Sequence, residues 1–472
     1  MKIVAIDVGT SRIKAAVFID SGVMTALVDR RLARLASPTT QSALEWAETT
    51  EELLRGLAVE HTPEAVVLTG NMHALLAVDA AGEPLAPAVL WNDTGAQAET
   101  AELNRQGGAE LLRQFGNTAT PVFTFPKMMK FRREQPDVYV HTKAFLQSKD
   151  FIALRLTGQY ATDPVDASGV LGMDLDTQTW NSAFFAEFGL DVSKMPAILP
   201  STAIVGTVTA MAANRTGLRA GIPVIIGAGD LSTAAVGSGV DEETMSLTLG
   251  TAGQLLAAGD RAAGEALAGR LFVFSHADPQ LRLFLGSVPA GGFNFEWIAG
   301  LFGISVPEFF QTAAVGAAPN ELPVYLPYIL GRGAPFMDYI PDGSWRGLTA
   351  LHRREDLCRA AVLGTLSALR QSGDLLETIA GKRPRLVLQA LACREAVVRE
   401  AAAGLFAGKE LLLPENSEAS LVGAAAIALV GLKLAPDFRS AIARLFQASG
   451  LPSSPDDASE CYYQRFLARQ QE

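Results

Sequence analysis

One arrangement of residues occurs twice in this chain and limits its fold more than any other feature. Residues 2–18 contain two apolar, β-prone runs joined by a polar turn at Gly9–Ser11. Residues 244–256 repeat the pattern around a turn at Gly250–Thr251. Two such runs separated by a glycine-containing turn predict a β-hairpin. The hairpins lie almost half a chain apart, so we expect two domains that each contain one of these turns.

The length and the apolar periodicity support a two-domain α/β protein. A chain of 472 residues exceeds what one hydrophobic core usually supports, which favours domains over 1–240 and 241–472. Short apolar strand candidates, such as 65–70, alternate with amphipathic stretches, and this alternation is typical of the α/β class. Helical spacing or composition is found over 43–57, 96–106, 354–373 and 421–432.

Composition and charge exclude several classes of protein. A net charge of −11 argues against binding to a nucleic-acid backbone, which requires a basic face. The three cysteines form no C-x-x-C motif and support neither a disulfide framework nor a structural zinc site. The longest apolar stretch, residues 419–432, is interrupted and too short to span a membrane, and no secretory signal is visible. We therefore expect a cytoplasmic protein without membrane or nucleic-acid partners.

The first turn has the chemistry of a phosphate site. Backbone N–H groups and hydroxyls of Gly9, Thr10 and Ser11 can approach a phosphate, and Asp7 offers hard oxygen to Mg²⁺. Lys14 is a further candidate for neutralising phosphate charge. An ordinary hairpin whose turn happens to contain Thr and Ser explains this segment equally well when it is taken alone.

Asp230 is a second carboxylate with a candidate catalytic role. It follows the apolar run 223–228 and Gly229, so it stands at the end of a predicted buried strand. A carboxylate placed there can take a proton from a hydroxyl group. The alternative is that Asp230 is the N-cap of a helix that begins at Leu231.

Ordered pieces along nearly the whole chain resemble one family, the FGGY carbohydrate kinases, and among them most closely the xylulokinases. The pieces that carry the resemblance are residues 7–11, 70–73, 90–93, 123–127, 149–152, 157–158, 163–169, 227–230, 249–253, 325–328 and 347–349. The resemblance implies two actin-like, ribonuclease H-like domains around a central catalytic cleft. It implies ATP and Mg²⁺ as cofactors, a small-molecule sugar as substrate and a homodimer as the family-like assembly.

The resemblance also implies roles for particular residues. Asp7 would hold Mg²⁺, and Asp230 would be the general base for the attacking sugar hydroxyl. The terminal phosphates would be bound by Gly9, Thr10, Ser11, Gly250 and Thr251. The sugar would be contacted by Met72, His73, Trp91, Asn92 and Asp93, a set that supplies hydrogen-bonding groups and an apolar surface. A core position for Trp91 is the alternative.

Several positions depart from the family pattern. Gly95 stands where the family usually has Arg, Leu231 where xylulokinases usually have Asn, and Ala74 where Gly usually follows Met-His. These changes leave open whether the substrate is xylulose itself, another ketose or a related polyol.

The adenosine-binding turn departs most. The family has three successive glycines where this chain has Gln389, Ala390 and Leu391. Because glycine permits positive φ and close backbone approach, we expect these side chains to obstruct adenosine or to force a different turn. The leading hypothesis is an ATP-dependent kinase of a ketose or polyol. The alternative is a weak or inactive member that binds carbohydrate in a regulatory role.

Overall fold

The computed structural model of the protein describes residues 1–33, 37–452 and 456–470. Its strands are β1 (Lys2–Val8), β2 (Arg12–Ile19), β3 (Met24–Arg31), β4 (Thr40–Gln41), β5 (Ala65–Gly70), β6 (Leu76–Val78), β7 (Ala88–Val89), β8 (Ala144–Leu146), β9 (Ala161–Thr162), β10 (Met173–Asp174), β11 (Thr179–Trp180), β12 (Ala197–Ile198), β13 (Ile204–Thr207), β14 (Pro223–Gly229), β15 (Thr244–Leu249), β16 (Gly253–Gly259), β17 (Phe272–Ser275), β18 (Arg282–Val288), β19 (Val324–Leu326), β20 (Ser344–Arg346), β21 (Arg385–Gln389), β22 (Glu410–Pro414) and β23 (Ala448–Leu451).

The α-helices are α1 (Ala43–His61), α2 (Gln97–Phe115), α3 (Thr124–Glu134), α4 (Pro136–His141), α5 (Ser148–Thr157), α6 (Pro164–Ser168), α7 (Ser182–Glu187), α8 (Ala210–Thr216), α9 (Asp230–Gly237), α10 (Arg261–Leu267), α11 (Gly292–Phe302), α12 (Val306–Ala314), α13 (Arg354–Ala380), α14 (Ala396–Leu405), α15 (Ala419–Gly431), α16 (Phe438–Leu445) and α17 (Asp457–Arg469). Short 3₁₀ helices lie at Val192–Lys194, Pro319–Glu321 and Leu391–Arg394.

The chain divides into two units. The first unit comprises Met1–Gly239, Phe274–Arg282 and Glu418–Phe446. The second comprises Val240–Val273, Leu283–Ser417 and Gln447–Glu472. The first junction lies between Gly239 and Val240, and the expected domains over 1–240 and 241–472 stay a prediction. The contiguous range 241–472 differs from the second unit, because two of its segments pack with the first. The assignment of sugar and nucleotide binding to separate domains stays a prediction.

The sheet of the first unit has the order β13-β14-β5-β1-β2-β3. The predicted first hairpin is confirmed, since β1 and β2 pair antiparallel with Asp7 opposite Lys14. At the centre, β1, β5 and β14 run parallel to one another, so their carboxyl ends lie at the same edge of the sheet. Every residue of β5 is buried, as expected for a central parallel strand that is covered on both faces.

Helices on the central strands complete the core of the first unit. The buried residues of α1 and α5 share one hydrophobic cluster with β1, β5 and β14. Helix α15 packs against these same three strands and against α9. Its residues 421–429 are all buried, as expected for a helix that is apolar on all sides. The stretch that looked too short for a membrane span is therefore a core helix.

The sheet of the second unit has the order β17-β18-β16-β15-β21-β22-β23. The predicted second hairpin is also confirmed, because β15 and β16 pair antiparallel. Strand β15 runs parallel to β21, with Thr248 opposite Gln389. This register places the turn after β15 beside the turn after β21.

The four predicted helical stretches correspond to α1, α2, α13 and α15. Helix α13 continues past the predicted end at Gly373 to Ala380, since Gly373 is buried inside the helix. No helix in the described ranges is both long enough and apolar enough to cross a membrane.

Candidate active site

The first turn connects two of the predicted groups of site residues. The indole Nε1 of Trp91 donates a hydrogen bond of 3.1 Å to the hydroxyl Oγ1 of Thr10. Trp91 is 44% exposed, so the alternative of a core position is wrong. A residue predicted to contact the sugar therefore lies against the turn predicted to bind phosphate.

Asp7 lies at the end of β1 and is only partly compensated. Its Oδ1 atom is buried and has no hydrogen-bond partner. Burial raises the pKa of Asp7 to about 6, an effect that Lys14 opposes and Glu418 reinforces. The Lys14 ammonium forms an ion pair with Glu418 at 2.6 Å. Lys14 thus has a carboxylate partner, and sequence reasoning missed Glu418 because it is 404 positions away.

Asp230 follows β14 and is the first residue of α9, with Gly229 at the N-cap. The alternative of Asp230 as the N-cap of this helix is therefore wrong. Burial, followed by the negative charge of Asp7, raises the pKa of Asp230 to about 7. Hydrogen bonds from backbone groups, including that of Met72, act in the opposite direction. This environment holds a carboxyl group at the point where it can accept or release a proton near neutral pH.

Strand register explains why the two carboxylates are neighbours. Thr69 of β5 pairs with Asp7 on one side and with Ala228 on the other. The hydroxyl of Thr69 also lies 2.8 Å from that of Thr233 in α9, which ties the central strand to the helix that carries Asp230. The carboxyl ends of adjacent parallel strands are the usual place for ligand sites in α/β proteins.

Met72 and His73 follow β5 and are almost fully buried. The Nδ1–H of His73 donates 2.8 Å to the carbonyl of Gly169, which leaves Nε2 as the acceptor. Burial lowers the pKa of His73 to about 4, so the ring is neutral at physiological pH. Phe123 packs edge-on against this ring at 5.3 Å. The histidine is held in one tautomer and one orientation.

Asn92 and Asp93 follow Trp91 in the loop after β7. The Asn92 side chain donates 3.3 Å to the carbonyl of Pro38, while its Oδ1 is buried without a partner. Asp93 accepts from the Thr39 hydroxyl and from the Gly95 N–H, each at 2.9 Å. Gly95, which departs from the family pattern, thus helps to form the turn that holds Asp93.

A buried lysine lies beneath this part of the first unit. The Nζ of Lys127 in α3 donates to the carbonyls of His73, Leu90 and Val122 at 2.9, 2.8 and 2.8 Å. Burial lowers the pKa of Lys127 to about 7, and the negative charge of Asp93 opposes this change. Residues 123–127 carried part of the family resemblance, but nothing in that pattern indicated which groups the lysine contacts.

In the second unit, the turn after β15 lies against the beginning of α11. The carbonyls of Gly250 and Thr251 accept from the N–H groups of Gly292 and Phe293 at 2.6 and 3.2 Å. A Cβ atom at Gly291 would lie 2.0 Å from the backbone nitrogen of Gly253. The turn at Gly250 and Thr251 therefore has a fixed backbone support that the sequence did not indicate.

The turn after β21 retains a glycine-like backbone without glycine. Ala390 has φ 71° and ψ 165°, a combination found essentially only in glycine. The thiol of Cys393 hydrogen-bonds to backbone groups of Leu249 and Gln389, which links this turn to the end of β15. Leu391 is 81% exposed. The turn therefore combines a strained alanine with an exposed apolar side chain.

The donor set around Asp7 fits Mg²⁺. A buried carboxylate oxygen without a partner and a raised pKa both indicate a place where a cation would lower the free energy. Mg²⁺ commonly binds through one or two carboxylates and completes its shell with water and substrate phosphates. Within the described residues, no group of three or more His, Cys, Asp or Glu side chains is placed to hold a metal. The site therefore suits a cation that takes one ligand from Asp7 and the others from water and substrate phosphates.

Comparison with known proteins identifies the family to which this chain belongs. Residues 2–237 match the model of the N-terminal domain of the FGGY family of carbohydrate kinases. A xylulose kinase from Staphylococcus xylosus is 30% identical over 390 residues, which are 79% of this chain and 80% of that protein. The chain therefore belongs to the FGGY family and is a carbohydrate kinase.

Solved structures agree on the fold. A ligand-bound xylulose kinase from Lactobacillus acidophilus superposes with a TM-score of 0.90 at 22% identity, covering 99% of this chain and 96% of that one. A gluconate kinase from the same organism gives a TM-score of 0.91, also at 22% identity, with the same coverage. At these identities the likeness establishes the fold. The predicted α/β, actin-like class and the xylulokinase-like resemblance are both confirmed.

Proposed function

We propose that the chain transfers the γ-phosphoryl group of ATP to a hydroxyl of a ketose such as xylulose, or of a related polyol, with Asp230 as the general base. The observation that carries this proposal is the environment of Asp230. A partly buried carboxylate next to Asp7, with its pKa raised to about 7, can take a proton from a hydroxyl at neutral pH.

The chemical step is an in-line displacement. The substrate oxygen forms a bond to the γ-phosphorus as the bond between that phosphorus and the ADP oxygen breaks, and the hydroxyl proton moves to Asp230. Phosphoryl transfer of this kind depends mainly on positioning and on neutralising charge. Mg²⁺ held by Asp7 would supply part of that neutralisation when bound.

The phosphate groups are assigned to two turns. In the first unit, Gly9, Thr10 and Ser11 offer backbone N–H groups and hydroxyls, and Trp91 helps to fix Thr10. In the second unit, the turn at Gly250 and Thr251 is held by α11. The Lys14 ammonium, paired with Glu418, contributes its charge close to Asp7.

Sugar recognition is assigned to the residues after β5 and β7. His73 Nε2 is an acceptor in a fixed tautomer, and the buried Oδ1 of Asn92 is an acceptor without a partner. Trp91 offers an exposed aromatic face for the C–H groups of a sugar. Met72 acts through its backbone, which binds the Asp230 carboxylate.

The substrate and donor are tested together. Purified protein is incubated with Mg²⁺ and ATP and screened against ketoses, polyols and sugar acids, while calorimetry measures ATP binding. We expect ATP binding and phosphorylation of a neutral ketose or polyol. A preference for sugar acids would contradict the substrate assignment. Sugar binding without ATP binding or product would instead support a regulatory carbohydrate-binding role, for which the strained Ala390 turn gives a reason.

A further inference from the structure

Lys127 makes an unusual set of contacts for a buried cation. Lys127 lies in α3 and is only 3% exposed. Its ammonium donates to three carbonyl oxygens at 2.8–2.9 Å. An ammonium has three N–H donors, so these bonds use all of them. Lys127 therefore has no donor left for a ligand and must act through the groups that it binds.

The three carbonyls belong to three separate stretches of the first unit. The first is that of His73 itself, and the second is that of Leu90, which directly precedes Trp91. The third is that of Val122, next to Phe123, whose ring packs against His73. A single ammonium thus joins the backbone segments that carry the residues assigned to sugar recognition.

The arrangement is costly to maintain. Removing an ammonium from water is unfavourable unless its hydrogen bonds replace those of water, and three neutral carbonyls replace them without a full counter-charge. An apolar residue in α3 would fill the same space without this cost, but it could not hold three carbonyls at a common point. We therefore expect that a lysine is kept here because these three carbonyls must be held at fixed positions.

We propose that Lys127 is a positioning residue that holds the His73 and Trp91–Asp93 segments at the spacing a bound sugar requires. The proposal rests on the proposed function, since it assumes that these segments contact the sugar. In this proposal Lys127 contacts neither substrate. It affects the affinity for the sugar and leaves the affinity for the nucleotide unchanged.

The test uses Lys127→Met, which has a similar length and no donor, in the full chain. We expect the Kd and KM for the sugar to rise by about tenfold or more, because small displacements of binding groups are costly. The KM for ATP should change by less than about twofold. Lys127→Gln, which keeps two N–H donors, should recover part of the sugar affinity.

Lys194→Met is the matched control. Lys194 also donates to two backbone carbonyls, those of Val140 and Thr142, but these belong to none of the segments assigned to the sugar. Its loss should lower thermal stability and leave the sugar KM unchanged.

The outcomes separate the two proposals. Wild-type sugar affinity in a folded Lys127→Met protein, or equal losses for sugar and ATP, would overturn the positioning role. The same conclusion holds if neither Lys127 variant folds, because the lysine would then be a general core stabiliser. A wild-type protein that binds no sugar would contradict the proposed function, and this inference with it.

Discussion

At the residue scale, the site is defined by negative charge that the protein itself compensates only in part. Burial raises the pKa of both Asp7 and Asp230, and the charge of Asp7 raises that of Asp230 further. The nearby Lys14 is already paired with Glu418. Carboxylates of this kind reduce stability and are retained where a cation or a proton must be handled.

Ala390 is a case of local backbone strain. Replacing it with glycine should raise the free energy of unfolding by about 1 kcal/mol, because the relief of an unfavourable φ exceeds the entropy cost of glycine. Urea denaturation measures the change. Ala392→Gly, in the adjoining 3₁₀ helix, is the control and should lower stability by roughly 0.5 kcal/mol. A loss of stability in Ala390→Gly equal to that of the control would show that the turn is unstrained.

At the element scale, the strand ends and turns could be predicted from the sequence. The distant residues that contact them and hold them in place could not. The hairpins followed from Gly and Thr between apolar runs, and Asp7 and Asp230 stood out because each ends such a run. Lys127 and Glu418 gave no comparable signal, since each acts on residues that are distant in the chain. The continuation of α13 past Gly373 was missed because burial outweighs the low helix propensity of glycine.

The contact between α11 and the turn after β15 gives an element-scale prediction. Gly291→Ala places a methyl group within 2.0 Å of the Gly253 backbone, so the turn at Gly250 and Thr251 must shift. We expect ATP affinity, measured by calorimetry, to fall by about tenfold or more.

Gly300→Ala, inside the helix that Gly291 caps, is the control for this prediction. A Cβ at Gly300 meets nothing within 4 Å, so ATP affinity should stay at the wild-type value. Unchanged ATP affinity in Gly291→Ala would remove the turn at Gly250 and Thr251 from the phosphate site.

At the scale of the whole molecule, the order of segments along the chain does not match their division between the two units. Residues 418–446 come late in the chain and yet belong to the first unit, where α15 packs on the central strands and on α9. A boundary near residue 240 could be predicted from length and from the repeated hairpin. The return of α15 could not, because an all-apolar helix indicates burial without naming its partner. The homodimer expected from the family stays a prediction.

The return of α15 has a testable consequence for the first unit. A Cβ at Gly423 would lie 1.8 Å from the carbonyl oxygen of Thr233, so Gly423→Ala should separate α15 from α9. We expect the free energy of unfolding to fall by about 2 kcal/mol, as for an overpacked core. Gly56→Ala, at an open position in α1, should raise it by up to about 1 kcal/mol. Equal stability of the two variants would contradict the close α9–α15 contact.

The central claim is that Asp230 removes the proton from the substrate hydroxyl, and the pH dependence of kcat/KM for the sugar tests it most directly. A base must be ionised, so with a pKa of about 7 the rate should fall about tenfold per unit as the pH drops below that value and level off above it. Asp230→Asn should lose at least about 100-fold in kcat and lose this inflection. Asp437→Asn, at a helix N-cap where Asn serves as well as Asp, should keep both. An Asp230→Asn protein that retains the wild-type rate and pH profile would contradict the account.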